Sequence, residues 1–573
     1  MNNSKGFTNL QIAEILRDVA SSYQFKGDKA NRFKIVAYER AADAVEHATS
    51  ELKDLWDEGN LDKVPGIGPS IAGHLSELFE KGVSKHFEEV MSGIPREAFT
   101  LMELPGIGIK TAMKLINEGD KKELEQKLKE ATELKQKEKR SLLPYASVIA
   151  SEIIEYLSVN KSVKKIHPLG SLRRRVATVG DIDISVATET PSEVLNYFTK
   201  YPKAQKVIEK GEHSASIVVA GNVQVDVIAQ PLESYGSLLQ HFTGSKHHNV
   251  ALREYALKQG LSLNEYGIKK AGEDPKIAKY KTFDSEEKFY NALGLDWIEP
   301  ELREDTGEIE AAKNHKLPKL IELGDIKGDF QMHSDFDIET SHDVGQSSME
   351  ELIEKANELN YEYIAFTEHN PSKMGHTPGD IVELLKKKRE KVDQLNYSLQ
   401  QGKNKSVKKV FNSLEIDINV DGSLSVPEEG LNLLDFALVS VHGSFKLPKD
   451  EMTKRVLSAL SLPKVKVFAH PTARKIQERE GIDLDWPQIF DFCLKNNKWI
   501  EINCDPMRLD LPDTLVREAV KLGVKLTLGT DAHHKDGLNN MIWGISVARR
   551  GWCEKKDIIN SLSLDKFNEM IKL

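Results

Sequence analysis

Apolar residues recur along this chain with two different periods, and the change from one to the other divides it. Over residues 8–58 the positions Leu10, Ile12, Ile15, Leu16 and Val19 fall on one stripe, so this stretch is expected to be helical. Around residue 180 the period becomes two: Ile182, Ile184 and Val186 alternate with other residues as in a strand. The runs Ile217–Ala220 and Val223–Ile228, joined by Gly221-Asn222, read as a hairpin. After Gly324 short apolar runs alternate with helical segments: Tyr363–Phe366, Phe436–Val441, Val465–Ala469, Trp499–Ile502 and Lys525–Leu528. That pattern predicts a separate α/β domain, a barrel with its site at the C-terminal ends of the strands. Between these regions lie a charged helix, Lys121 to Arg140, and mixed helix and strand over 233–300. A Glu/Lys-rich stretch, Glu301 to Lys316, has the composition of a linker.

A chain of 573 residues is too long for one core and is expected to form three to five domains. Charged residues make up 29% and hydrophobic ones 39%, the balance of a soluble globular protein. Cys493, Cys504 and Cys553 are too few for a disulfide framework, which points to a reducing cytoplasm. The start of the chain has no apolar signal core, and no run is long enough to span a membrane, so no membrane partner is expected. The net charge of −10 does not advertise nucleic-acid binding, yet a local basic stripe can grip DNA beside acidic domains.

Three carboxylates change the picture. Asp181 and Asp183 stand two apart in an apolar frame, so on a strand both point to one face, and Asp226 sits in a second strand-like run. Three carboxylates on one face repel unless cations lie between them. A lone Asp-x-Asp is usually just solvated. Upstream, however, Gly170-Ser171-Leu172-Arg173-Arg174 offers backbone N–H groups, a hydroxyl and the planar fork of Arg174 to phosphate oxygens. Together these describe a nucleotidyl-transferase palm binding two metals and a triphosphate.

Two further motifs bear on the partner. Pro65-Gly66-Ile67-Gly68 and Pro105-Gly106-Ile107-Gly108, the latter followed by Lys110, each join two helical segments. One copy could be only a tight helix connection. Two make helix–hairpin–helix binding to the DNA backbone the better reading, with helix-opening N–H groups facing a phosphate. In the C-terminal half, His333, His369, Glu415, His442, His470, Asp531 and His533 each lie at a strand end or in a short loop. One such histidine is more often a hydrogen-bonded core residue. Seven ligating residues on one rim are economically explained by a multinuclear metal site that hydrolyses phosphate esters through a metal-bound hydroxide.

The paired hairpins, Gly-Ser-x-Arg-Arg, Gly180-Asp181-Ile182-Asp183 and Phe242-Thr243-Gly244-Ser245, in that order, resemble the family X DNA polymerases, whose bacterial form carries a C-terminal PHP domain. The resemblance covers essentially the whole chain. It implies a lyase-like helical domain over 1–85, a fingers-like domain over 86–141, an α+β palm over 142–232 and a nucleotide-selecting subdomain over 233–305. A linker over 306–324 and an α/β PHP domain, a distorted β/α barrel, over 325–573 would follow. It further implies gap filling in DNA repair on gapped or primer–template DNA, with dNTPs as substrates and a monomer as the acting form. Asp181 and Asp183 would bind both Mg²⁺ or Mn²⁺ ions; Asp226 would bind one and take the proton from the primer 3′-OH. Gly170, Ser171, Arg174, Gly180, Phe242 and Gly244 would hold the nucleotide, Asn249 and Arg253 would touch the base pair in the minor groove, and Lys34 and Tyr38 the 5′-phosphate of a gap. The PHP rim would hold Mn²⁺ or Zn²⁺ and give 3′→5′ exonuclease activity.

Several positions depart from the family pattern. His241 stands where a tyrosine is usual, Gln224 replaces an arginine and Ala177 a glutamate, but no palm ligand is lost. His74 and Ser70 stand where lyase-competent relatives have lysines, and an imidazole cannot form the imine, so lyase activity is expected to be weak or absent. The PHP pattern has nine ligands around three metals, of which Glu415, His442 and His470 would form one complete set. The set of Gln331, His333, Glu415 and Asp531 lacks an imidazole. That of Ile338, His369 and His533 lacks its third ligand, though Asp337 is nearby, so an impaired exonuclease is expected. Arg508 and Asp510 are candidate outer contacts. Two alternatives remain open: a PHP phosphoesterase or nuclease that uses its N-terminal half to grip DNA, and a gap-binding scaffold. A scaffold would not need all three palm carboxylates, and a hydrolase-first protein would be expected to keep an intact rim.

Overall fold

The computed structural model describes residues 7, 9–46, 52, 56, 61, 67–102, 104, 107–119, 121–136, 140–273, 279–402 and 405–572. The chain divides into two compact units. One comprises the chain to Leu172 with Thr178–Thr243 and Ser262–Glu286; the other comprises Arg173–Ala177, Gly244–Leu261 and everything from Glu287 onward. Among the described residues no helix is long and apolar enough to cross a membrane.

The first unit opens with the helical segment Asn9–Glu46, interrupted at Gly27, whose φ of 144° and ψ of 103° are open to glycine but not to a helical residue. Ile12, Leu16 and Val19 form a buried core with Leu75, Leu78 and Phe87, which is what the apolar stripe requires. Short helices follow at Pro69–Lys81, Lys85–Met91, Arg96–Leu101 and Ile109–Glu118, then the charged helix Lys121–Gln136. Leu101, Ile109, Ala112 and Ala131 make a second small core under the second hairpin.

Next comes a five-stranded sheet of β1 (Lys165–Pro168), β2 (Ile182–Ala187), β3 (Lys206–Lys210), β4 (Ser214–Val219) and β5 (Val223–Gln230). Its order is β1-β2-β5-β4-β3, with β2 and β5 parallel and the other neighbours antiparallel. The hairpin read from Gly221-Asn222 joins β4 to β5, with both residues at positive φ (75° and 61°). At Gly221 a Cβ would also crowd the Tyr145 hydroxyl, 2.9 Å away.

The second unit holds eight parallel strands. β6 (Gly328–Asp329), β7 (Tyr363–Phe366) and β8 (Lys409–Asn412) form one sheet. β9 (Glu415–Asp417), β10 (Ala437–Ser440), β11 (Val465–Phe468), β12 (Trp499–Asn503) and β13 (Leu526–Gly529) form another. Parallel bridges Met332↔Ala532 and His369↔Glu415 tie the two sheets together just beyond β6, β7 and β13. The strands are buried on both faces, hence the near-continuous Val/Ile/Leu runs.

The stretch whose composition suggested a linker is packed instead. Pro300–Leu302 and Glu308–Lys313 are helical, and Glu301, Arg303 and Glu308 are buried. Arg303 donates twice to the Ile298 carbonyl, at 2.9 and 2.7 Å, and Glu301 accepts from Arg549 at 2.8 Å. Composition counts charges but not their partners, and here the partners make burial tolerable.

Candidate active sites

The palm carboxylates are set by strand pairing. Asp183 on β2 and Asp226 on β5 are direct register partners across a parallel pair, so their side chains leave the same face. Asp181 precedes β2 and is exposed; Asp183 and Asp226 are half-buried. Gln224, also on that face two residues before Asp226, donates its amide to both Asp226 oxygens at 3.2 and 3.0 Å. It therefore does by neutral hydrogen bonding what an arginine would do by charge. Gly170, at φ 55°, lies against a carboxylate: a Cβ there would be 2.6 Å from Asp183 Oδ2. The motif glycine thus brings bare backbone against a carboxylate, with half-buried Ser171 opening the one-turn helix Gly170–Arg173. Gly180, next to Asp181, has the Arg140 guanidinium as its neighbour; Arg140 donates to the Thr178 hydroxyl and carbonyl at 2.9 and 2.7 Å. Phe242 is exposed, with the His241 ring edge-on to it at 4.8 Å.

In the second unit Arg174 is held by Glu304, Nε to Oε1 at 2.9 Å. Arg550 donates to the same Glu304 oxygen and to the Arg174 carbonyl, each at 2.9 Å. Burial pulls the Arg174 guanidinium below its ordinary value, with Glu304 opposing. Gly244, at φ 68°, lies close to that guanidinium: a Cβ would be 3.2 Å from Nη1. Ser245 caps the helix Lys246–Leu257, its hydroxyl accepting from the His248 N–H at 3.2 Å. Asn249 and Arg253 lie one turn apart on that helix, the first half-buried, the second exposed.

Gly66 and Gly106 lie outside the described residues. Gly68 and Gly108 occupy matching positions, each capping the next helix in extended conformation, with Ala72 and Ala112 closing the first turn at 2.9 Å. Neither needs positive φ. What glycine leaves is open space: among the described residues a Cβ at either would meet nothing within 4 Å. Lys110 is exposed in the first turn of the second helix. Lys34 is exposed with its ammonium 4.9 Å above the Tyr23 ring. Tyr38 is only 5% exposed, packed between Tyr23 and His86, and burial followed by the neighbouring Tyr23 pushes its phenol up. Buried among these rings, it is not placed to reach a phosphate itself.

The C-terminal residues converge around Glu415. His333 follows β6, His369 β7, His442 β10, His470 β11, and Asp531 and His533 follow β13. Glu415 Oε1 accepts from His470 Nε2 at 2.7 Å and lies 3.2 Å from His442 Nε2; its Oε2 lies 3.4 Å from His333 Nε2 and 3.7 Å from His369 Nδ1. Asp531 Oδ1 is 3.1 Å from His333 Nε2, and Arg508 Nε is 3.5 Å from Oδ2. Three groupings have ligand atoms near enough to share an ion: His333, Glu415 and Asp531; His369, Glu415 and His442; His333, His369 and His533.

The electrostatics match a cation site. Burial would push the Glu415 carboxyl up, but the imidazoles of His369, His470, His333 and His442 outweigh it and hold it well below the carboxylate range. Asp531 is likewise held low against burial, chiefly by His333 and Arg508. Burial depresses His333 too, but hydrogen bonds to Asp531 and Glu415 raise it to about 9. Burial keeps His369, His470 and His533 below their ordinary value. Among the described residues the buried Nδ1 atoms of His333, His369 and His470 have no hydrogen-bond partner. Imidazole nitrogens with nothing to bond, beside ionised carboxylates, are the donor set that Mn²⁺ or Zn²⁺ accepts.

The altered positions are also explained. Gln331 fills its place in the rim with an amide, donating to Glu415 at 2.8 Å and accepting from Asn503 at 3.3 Å. Ile338 is fully buried in the apolar core, and exposed Asp337 turns away to accept from the Glu339 N–H at 2.6 Å. Asp510 is buried and accepts from the Thr472 N–H at 3.0 Å. Sequence reading missed a fourth grouping, His342, Asp417 and His442. The signal was present: Glu415-Ile416-Asp417 on β9 repeats the spacing of Asp181 and Asp183, placing two carboxylates on one face.

Residues 7–84 match the model of a helix-hairpin-helix domain, and residues 238–304 that of the DNA polymerase beta thumb. DNA polymerase lambda of Rattus norvegicus is 24% identical over 52% of this chain and 56% of its own. A probable phosphatase of Acetivibrio thermocellus is 26% identical over 39% of this chain and 89% of its own. The DNA polymerase/3'-5' exonuclease PolX of Bacillus subtilis (strain 168) is 33% identical over 98% of this chain and 99% of its own. A likeness of that extent leaves almost nothing of either protein unaligned, and with it the chain belongs to the bacterial family X DNA polymerases, the PolX family.

Proposed function

We propose that this DNA polymerase fills short gaps during repair, with Asp181, Asp183 and Asp226 as its catalytic carboxylates. The observation that carries the assignment is the register pairing of Asp183 with Asp226, which aims both at one point beside the bare backbone of Gly170. Mg²⁺ or Mn²⁺ bound there supplies activation of the primer 3′-OH and neutralisation of charge on the transferring phosphate. The three carboxylates hold the ions, Asp226 accepts the hydroxyl proton, and Gly170 and Ser171 bind the triphosphate. The hairpins ending at Gly68 and Gly108 grip the DNA backbone, whatever its sequence.

We assign the C-terminal α/β unit as a PHP domain, its eight parallel strands closed into a distorted barrel through the Met332↔Ala532 and His369↔Glu415 bridges. The rim around Glu415 binds Mn²⁺ or Zn²⁺ and carries a 3′→5′ exonuclease weakened by the amide at Gln331. Asp181→Ala with Asp183→Ala should abolish dNTP incorporation on a one-nucleotide gap while sparing primer degradation. Undiminished incorporation would sink the palm assignment; loss of both activities would place the degradation there as well.

A further inference from the structure

His342 and Asp417 belong to no ligand position of the PHP pattern, yet they stand at the edge of the rim with His442. Asp417 Oδ1 lies 3.0 Å from His342 Nε2 and 2.7 Å from His442 Nδ1, so two imidazoles meet one carboxylate oxygen. The three residues form a grouping whose ligand atoms can share one ion. We propose that His342, Asp417 and His442 bind a divalent transition metal at a site additional to the rim.

The position of His342 is built by the backbone. Thr340 bridges Pro371, and the Ser341 N–H donates to the Asn370 carbonyl at 2.8 Å, so the segment is sewn to the chain directly after His369. The His342 ring reaches 5.1 Å from that of His369 and 4.4 Å from that of His442. Asp417 is equally fixed: its N–H donates to Asn370 Oδ1 at 2.8 Å and its Oδ2 accepts from Ser341 at 3.1 Å, leaving Oδ1 to the imidazoles. Ile338, meanwhile, is withdrawn into the core. His342 adds an imidazole beside the rim and does not refill the set of His369 and His533.

Two imidazoles and one carboxylate suit Zn²⁺ or Mn²⁺ far better than Mg²⁺ or Ca²⁺, which prefer all-oxygen shells. Ligand atoms about 2.1 Å from a tetrahedral ion lie about 3.4 Å apart, so the two contacts to Asp417 Oδ1 would open by about 0.4 and about 0.7 Å on binding. The His342 side chain is 37% exposed, so the remaining coordination positions open to water. A neutral imidazole has one lone pair, so His442 cannot serve both sites at once. With Nδ1 on this ion, its Nε2–H donates to Glu415 Oε1, 3.2 Å away, and the rim keeps His333, His369, His470 and His533.

The proposal goes beyond the hydrolase reading and is tested without turnover. Full-length chain is stripped of metal, equilibrated with Zn²⁺ or with Mn²⁺, and its bound ions are counted by mass spectrometry of the elements. His342→Gln should hold one ion fewer per chain than wild type at the same free metal, and Asp417→Asn should lose the same ion. In a Glu415→Gln background, which weakens the rim, His342→Gln should still remove one ion. Thermal unfolding of each metal-free variant checks folding. Equal ion counts and equal affinities in wild type and His342→Gln would overturn the proposal, leaving Asp417 as a hydrogen-bonding partner of two histidines; so would a wild-type chain that binds no ion.

Discussion

Gln331 donates its side-chain amide to Glu415 Oε2 at 2.8 Å, at the position where the PHP pattern has a metal-binding imidazole. The amide cannot serve as an imidazole donor, yet it satisfies the carboxylate without an ion. The amide adds to the imidazoles and Arg508 that already compensate the buried carboxylates of the rim. That makes the loss of a ligand tolerable and lowers the gain from binding metal.

Gln331→His should reverse this. The substitution supplies a fourth ligand to the group of His333, Glu415 and Asp531. Since even an outer partner of a metal ligand changes affinity about 10–100-fold, a gain of at least about tenfold in Mn²⁺ affinity is expected. The rate of 3′→5′ primer degradation, measured across a Mn²⁺ titration, should rise with it, while dNTP incorporation stays level. An unchanged titration curve would show that Gln331 is not the weak point of the rim.

The N-terminal domain should not make a covalent adduct with an incised abasic site. His74 stacks on His86 at 4.1 Å between ring centres, nearly parallel, and its Nε2 is 3.4 Å from the Ser70 hydroxyl. Burial, then His86, keeps the imidazole below its ordinary value, so it is a neutral ring with no amine to attack the sugar aldehyde. Borohydride trapping should give little crosslink to residues 1–85. His74→Lys, which installs the missing amine, should raise it. Efficient trapping by the unaltered chain would mean that another lysine, such as Lys34, does the chemistry.

Much of this architecture could be read from the order of residues, because the controlling signals are local. The β2 and β5 runs and their turn, the strands after Gly324 and the matching Gly-Ile-Gly segments each depend on neighbours in sequence. What escaped reading depends on partners far away. The charges of Glu301, Arg303 and Glu308 resembled a linker because their partners, Arg549 and His248 among them, lie elsewhere in the chain. Tyr38 looked like a surface contact because its periodicity says nothing of the aromatic rings stacked around it. His342 was hidden for the same reason: its relation to Asp417 spans 75 positions, and only folding makes them neighbours.

The helix that carries Asn249 and Arg253 should loosen in acid, for a reason located in one buried pair. His248 and Glu308 are both fully buried, with Nδ1 2.6 Å from Oε1. Glu308 also accepts from the backbone N–H groups of Asp305 and Thr306 at 2.9 and 2.7 Å, and the Tyr290 hydroxyl lies 2.9 Å from His248 Nε2. Burial pulls the imidazole below its ordinary 6.5 despite Glu308, so it is neutral, donating Nδ1–H to the carboxylate and accepting from Tyr290. Burial would raise Glu308, but His248 and the backbone N–H groups of Asp305 and Glu308 itself outweigh it and hold it below 4.5. Both groups therefore bind protons more readily when unfolded. The contribution of His248 is complete above about pH 6.5 and is lost as pH falls, by at most about 1.4 kcal/mol per pH unit; that of Glu308 follows below about pH 4.5. Hydrogen exchange over Lys246–Leu257, corrected for intrinsic rates, should show protection falling between about pH 7 and about pH 5. In His248→Asn, which cannot take up the proton, that part of the slope should vanish. A slope equal in the two proteins would mean that His248 is already charged in the fold.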